Sequence, residues 1–114
     1  MASKQTDEKA VQEQTSRTII NHLKTKNLHA LKGEVIPTKQ KIADEIVHFI
    51  PDLFIPEMKV PIEMSQDKKR DAAYMAIGLL PMVIVPANIE GSIEKYIDTF
   101  IDFHKKWSHK RIWK

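Results

Sequence analysis

The sequence has no cysteine. That excludes a disulfide scaffold, thiolate zinc sites, iron–sulfur clusters and thiol catalysis. Glycine is scarce: three residues, at 33, 78 and 91, too scattered to form a glycine-rich phosphate loop. Long apolar runs are missing too. The longest, residues 75–87, is thirteen residues with Pro81 inside it, and a spanning helix needs about 20. The opening stretch MASKQTDEKAVQEQTS has neither the apolar core of a secretory signal nor the arginine-rich, acid-poor pattern of a transit peptide. A cytoplasmic protein without a transmembrane segment is therefore expected. The histidines, at 22, 29, 48, 104 and 109, never take the His-x-x-x-His spacing with an intervening glutamate. No serine sits in a nucleophile elbow, and no carboxylate pair can be assigned to acid–base work. The sequence thus predicts no metal, no cofactor and no enzyme.

What is present is a chain of 114 residues, 42% hydrophobic and 29% charged. That is one domain's worth of material with enough apolar content for a core. The net charge of +3 is unevenly spread. Residues 1–64 carry 9 cations and 9 anions, residues 65–103 carry 4 and 6, and residues 104–114 carry 5 and none. The basic character belongs to the C-terminal end. The division expected is a frayed 1–6, a single helical domain over 7–103, and a basic, tryptophan-containing tail over 104–114.

Along the chain, Ala10, Val11, Ile19, Ile20 and Leu23 mark a first helix from about residue 7 to 27. Thr38 reads as the N-cap of a second helix ending before Pro51, with Ile42, Ala43, Ile46, Val47 and Ile50 on its buried face. Residues 51–64 contain three prolines, which forbid a helix and argue against a central strand. An extended loop with an edge strand over 59–64 is expected there. Ser65 reads as the N-cap of a third helix running to about Leu80. MVIV, residues 82–85, reads as a short buried strand or a kinked continuation of helix. A last helix starts at Asn88 or Ser92, with Ile89, Ile93, Tyr96, Ile97, Phe100, Ile101, His104 and Trp107 as its apolar stripe. The fold class expected is mainly α: about four helices with one or two short strands.

The order of a helix ending in RTIINHLKTKN, an extended EVIPT and the segment KQKIADEIVHF resembles the opening of winged helix-turn-helix DNA-binding domains. Ile42 and Ala43 stand where that family has the Ile-Ala of its x-x-x-I-A-x-x-I helix. The resemblance spans residues 16–87. It implies that SQDKKRDAAYMAIGLL is the recognition helix and MVIVPA one wing strand. The sequence departs from the family in the long connection before that helix and in lacking a second wing strand.

Two groups of residues suggest phosphate contacts. Lys68, Lys69 and Arg70 fall in the first turns of the third helix, where cations oppose the helix dipole unless an anion is also present. Lys105, Lys106, Lys110 and Arg111 alternate with Trp107 and Trp113, combining phosphate neutralisation with indoles able to stack on bases. The function expected is a nucleic-acid-binding or regulatory accessory protein. The alternative is a helical interaction module, an adaptor, inhibitor or assembly subunit. It would dock a protein partner or a second copy on the face from Ile89 to Trp107, through Ile93, Tyr96, Phe100, Phe103 and Trp107. Binding to a membrane surface through the tail is a weaker third reading.

Overall fold

A computed structural model describes the backbone of residues 2–112 and the side chains of residues 9–107. The described residues form three helices and five strands: α1 (Ala2–Lys24), β1 (Ile36–Ile42), β2 (Glu45–Phe49), β3 (Leu53–Ile55), β4 (Val60–Glu63), α2 (Lys68–Ala76), β5 (Met82–Val83) and α3 (Ile93–Ile112). A single 3-10 turn, Pro86–Asn88, precedes α3. The architecture is mixed α/β with two small sheets, which overturns the expected mainly helical fold.

The largest correction is at residues 38–50. They form no helix. β1 and β2 make an antiparallel hairpin, pairing Ile36 with Phe49, Pro37 with His48, Lys41 with Ile46 and Ile42 with Glu45. Ala43 and Asp44 form the two-residue turn, with φ of 52° and 65°, the paired positive values of a type I′ hairpin turn. The segment that carries the winged-helix resemblance is this hairpin, with the Ala of its Ile-Ala pair at the tip. Spacing of four between Ile42, Ile46 and Ile50 mimics a helix stripe, yet these residues are 71%, 46% and 63% exposed. The buried set instead alternates with period two: Ile36 and Thr38 on β1, then half-buried Val47 and Phe49 on β2. Dense β-branched and aromatic residues suit a pleated strand, and packing of the root against α2 decides the matter.

The second sheet has the order β3-β4-β5. β3 and β4 are antiparallel; β4 and β5 are parallel, joined through α2. β4 is central although Pro61 lies inside it. Phe54, its partner, turns its N–H and C=O the other way, to Leu31. The nitrogen of Pro61 therefore points toward β5, which pairs only with Ile62 and Glu63. No ladder bond is lost, so the usual objection to proline in a central strand does not apply.

Strand alternation places α1 and α3 on one face of this sheet and α2 on the other. Leu53, Ile55, Val60, Ile62, Met82 and Ile84 form a fully buried cluster with Ile19 and Leu23 of α1 and with Ile97 and Ile101 of α3. His22 of α1 and Lys26, in the turn that follows it, both reach Asp98 of α3, at 2.7 and 3.0 Å, and tie the helix pair together. Glu63 points to the opposite face and meets Tyr74 of α2. α3 runs without a break through Ile112, so residues 104–112 continue the helix and are not a separate arm.

Two substitutions test this fold. In a helix, Ala43→Gly would cost about 1 kcal/mol; at the positive φ of the hairpin turn it is expected to be neutral or stabilising by up to about 1 kcal/mol. Ile62→Ala is expected to cost about 2–5 kcal/mol in urea denaturation, whereas Ile42→Ala at the exposed tip should stay within about 0.5 kcal/mol.

Candidate nucleic-acid interface

A buried polar cluster lies where β4 ends and α2 begins. Glu63 is 5% exposed. Its Oε2 accepts a hydrogen bond from the Tyr74 hydroxyl at 2.8 Å and lies 3.5 Å from Arg70 Nε. Arg70 turns inward along the same surface. It donates to Ser65 Oγ at 3.2 Å and to the Ser65 carbonyl at 2.6 Å, and stands 3.4 Å from Asp71. Asp52, just before β3, accepts from the Met64 amide at 2.7 Å. Phe49 of the hairpin packs on Tyr74, ring centroids 5.3 Å apart. One cluster thus joins both sheets to α2.

Burial sets the electrostatics. Desolvation pushes the Glu63 carboxyl above its ordinary range, and the Asp52 charge adds to it; the Tyr74 hydrogen bond and the Arg70 charge pull the other way. The Tyr74 phenol is raised by burial first and by its bond to Glu63 second. Of the three cations read as phosphate contacts, Arg70 is therefore taken up by this anchor. Lys68 and Lys69 remain exposed, and neither forms an ion pair among the described residues.

The cap of α2 is Asp67 and not Ser65. Its Oδ1 accepts from the amides of Lys69 and Arg70, each at 3.1 Å. A carboxylate already occupies the anion-favouring end of the helix. The amides of Lys69 and Arg70 are thereby taken, and what this turn offers to solvent is its lysine side chains. Ser92 does cap α3, accepting from Lys95 N at 3.1 Å.

On α3, Lys105 and Lys106 are exposed. Trp107 is half-buried beside His104, at a centroid distance of 5.8 Å, and His104 stacks on Phe100 at 6.0 Å. Burial lowers the affinity of His104 for a proton. Lys110 and Arg111 lie on the helical backbone, but their side chains, and all of Trp113, fall outside the described residues. The two basic groups do not converge: α2 and α3 pack on opposite faces of the sheet. Of the residues read as a partner face, Ile93, Tyr96 and Phe100 are packed against the core. Tyr96 donates to the Val83 carbonyl at 2.8 Å. Phe103 is 57% exposed.

A cavity of about 240 Å³, lined by Gln66, Val83, Val85, Asn88, Ile89 and Tyr96, opens beside β5. It falls below the usual range of a cofactor site, roughly 300–1,000 Å³. Among the described residues no group of three or more His, Asp or Glu side chains is placed to hold a metal ion. Sequence reasoning missed Asp52, Glu63 and Tyr74. The spacing of Arg70 and Tyr74, four apart on one helix face, carried a signal, but their shared acceptor comes from another element. Comparison with family models, with curated proteins and with solved structures gives no match to this chain.

The buried carboxylate makes a pH prediction. Because the Glu63 pKa is raised in the folded state, its contribution favours folding at low pH and is lost as pH rises through the folded value. Denaturation of wild type and Glu63→Gln at about pH 4 and about pH 8 should show the variant gaining stability relative to wild type at the higher pH. A difference independent of pH would contradict the assignment.

Proposed function

We propose that the protein binds nucleic acid through its phosphates, with the first turn of α2 as the primary contact. The observation that supports this is the division of labour within three consecutive cations: Arg70 is folded inward onto Glu63 and Ser65, while Lys68 and Lys69 project from the turn it anchors. Side chains from a fixed backbone lose less freedom on contact than those on a loose loop. Lys105 and Lys106 of α3 supply a second basic surface from the other face of the sheet, and the sequence adds Lys110 and Arg111 farther along the same helix. The mechanism is electrostatic docking, each phosphate contact releasing counterions. Its biological role would be that of an accessory or regulatory protein. No helix among the described residues is long and apolar enough to cross a membrane.

Fluorescence anisotropy with duplex DNA and single-stranded RNA across a salt series tests the reading. Wild type is expected to bind, with log K falling by about 0.9 per phosphate contact on duplex. The double variant Lys68→Glu/Lys69→Glu should weaken binding and flatten that slope by about two contacts' worth; Lys105→Glu/Lys106→Glu should do so independently. Absence of binding at low salt would end the proposal.

The second reading, a helical interaction module, is supported by Phe103. It is the one member of the expected α3 face whose ring is more than half exposed, at 57%. Phe103→Ser would leave nucleic-acid binding intact and abolish capture of a protein partner.

A further inference from the structure

The two edges of the β1–β2 hairpin are guarded very differently. β1 carries Pro37, a register irregularity between Pro37 and Lys41, and the exposed lysines 39 and 41. Proline, bulges and edge lysines are the standard means of preventing a strand from recruiting another. β2 reads Glu-Ile-Val-His-Phe and has none of them. It is regular, β-branched and aromatic, with one charge at its start.

The turn geometry shows what that edge offers. Ile42 and Glu45 flank the two-residue turn and form the first pair of the ladder, so along β2 the backbone groups of 45, 47 and 49 face β1 and those of 46 and 48 face away. Two independent contacts agree. The Val47 carbonyl accepts from the Thr38 hydroxyl across the hairpin at 2.8 Å. Pro37, which has no N–H, lies opposite His48 at a position where none is needed. The hairpin is a two-stranded sheet on its own, and no other backbone group among the described residues pairs with Ile46 or His48. Each leaves one N–H and one C=O directed outward. Beside this edge Ile46 and Ile50 are 46% and 63% exposed.

We propose that β2 is the interface between two copies of this chain, which join edge to edge into a continuous antiparallel sheet of the order β1-β2-β2-β1. A two-fold axis imposes the antiparallel sense. Centred on Val47, it sets Ile46 opposite the second copy's His48, so that the outward-facing backbone groups of both chains meet each other. In this register Glu45 lies opposite Phe49, and no like charges face across the seam. The same operation on β1 would bring lysines against lysines and a proline into the ladder. A second copy is thus the occupant whose chemistry the edge already matches. The inference is independent of nucleic-acid binding.

Sedimentation equilibrium of the full chain is the test. The expected result is a species of twice the 13.2 kDa chain mass, and at least about a tenfold weaker dimer in Ile46→Lys, which installs the missing edge charge. Should circular dichroism show that this variant is misfolded, His48→Pro, which removes one outward N–H and no bond to β1, decides by the same criterion. Val47→Cys, in a chain without other cysteines, would stand opposite its own copy at a Cα separation of about 4.5 Å, within disulfide reach, and should cross-link in air. A monomer at every attainable concentration, a dimer indifferent to the edge variant, or a failure of the cysteine to cross-link would each overturn the proposal.

Discussion

The burial of Glu63 is the constraint on which the placement of the outer layer depends. A carboxylate taken out of water at the end of a central strand must be met by donors or opposite charge. Tyr74 donates its hydroxyl proton and Arg70 brings its charge to 3.5 Å without a hydrogen bond, both from α2, which fixes that helix in position and rotation. Tyr74 in turn presents its ring to Phe49, so the same side chain seats the hairpin. Arg70, held inward, leaves the two lysines before it as the exposed cations of that turn. The electrostatic character of this surface thus follows from a buried acid.

On the other side of the sheet the forces are simpler. α1 and α3 cover the strands with aliphatic side chains, and the ten-residue cluster they share is the core in the ordinary sense. Asp98, accepting from His22 and Lys26, ties the two helices at their solvent edge. The carboxyl is held below its usual range chiefly by the His22 hydrogen bond, then by Lys26. Among the described residues it is the carboxylate of α3 that forms ion pairs. A basic strip on α3 and basic side chains on α2 consequently belong to different layers, and a polyanion engaging both would have to pass around the sheet.

Much of the helical outer framework was legible in the sequence. The stripe of α3 is long, its apolar residues recur at 3.6, and Ser92 is a sound cap; local and tertiary signals agree there. An extended stretch at β4 was legible, although as an edge strand where it is central, and β5 was legible as a strand between Pro81 and Pro86 with a kinked helix as the alternative. The failure at residues 38–50 has a definite cause. Isoleucines spaced four apart satisfy a helical stripe, and the same residues satisfy a hairpin whose buried positions are others: Ile36, Thr38, Val47 and Phe49. Periodicity cannot choose between these patterns over so short a run. Proline in β4 misled for a related reason, since its effect depends on which way its nitrogen points in the sheet.

The sequence by itself determined that there is no thiol chemistry, that helices lie near the observed α1, α2 and α3, although it carried the second of these on to Leu80 where it ends at Ala76, and that positive charge gathers at the C-terminal end. These are properties of composition and of local spacing, which survive without knowledge of neighbours. Tertiary structure alone decided that Arg70 is an anchor while Lys68 and Lys69 are free, that Asp67 and not Ser65 caps α2, and that Ala43 sits at a turn. Each of these depends on a partner distant in sequence or on a backbone conformation selected by packing. The contacts that settle them, those of Tyr74 and Arg70 with Glu63 and of the hairpin with Tyr74, exist only once the layers have come together.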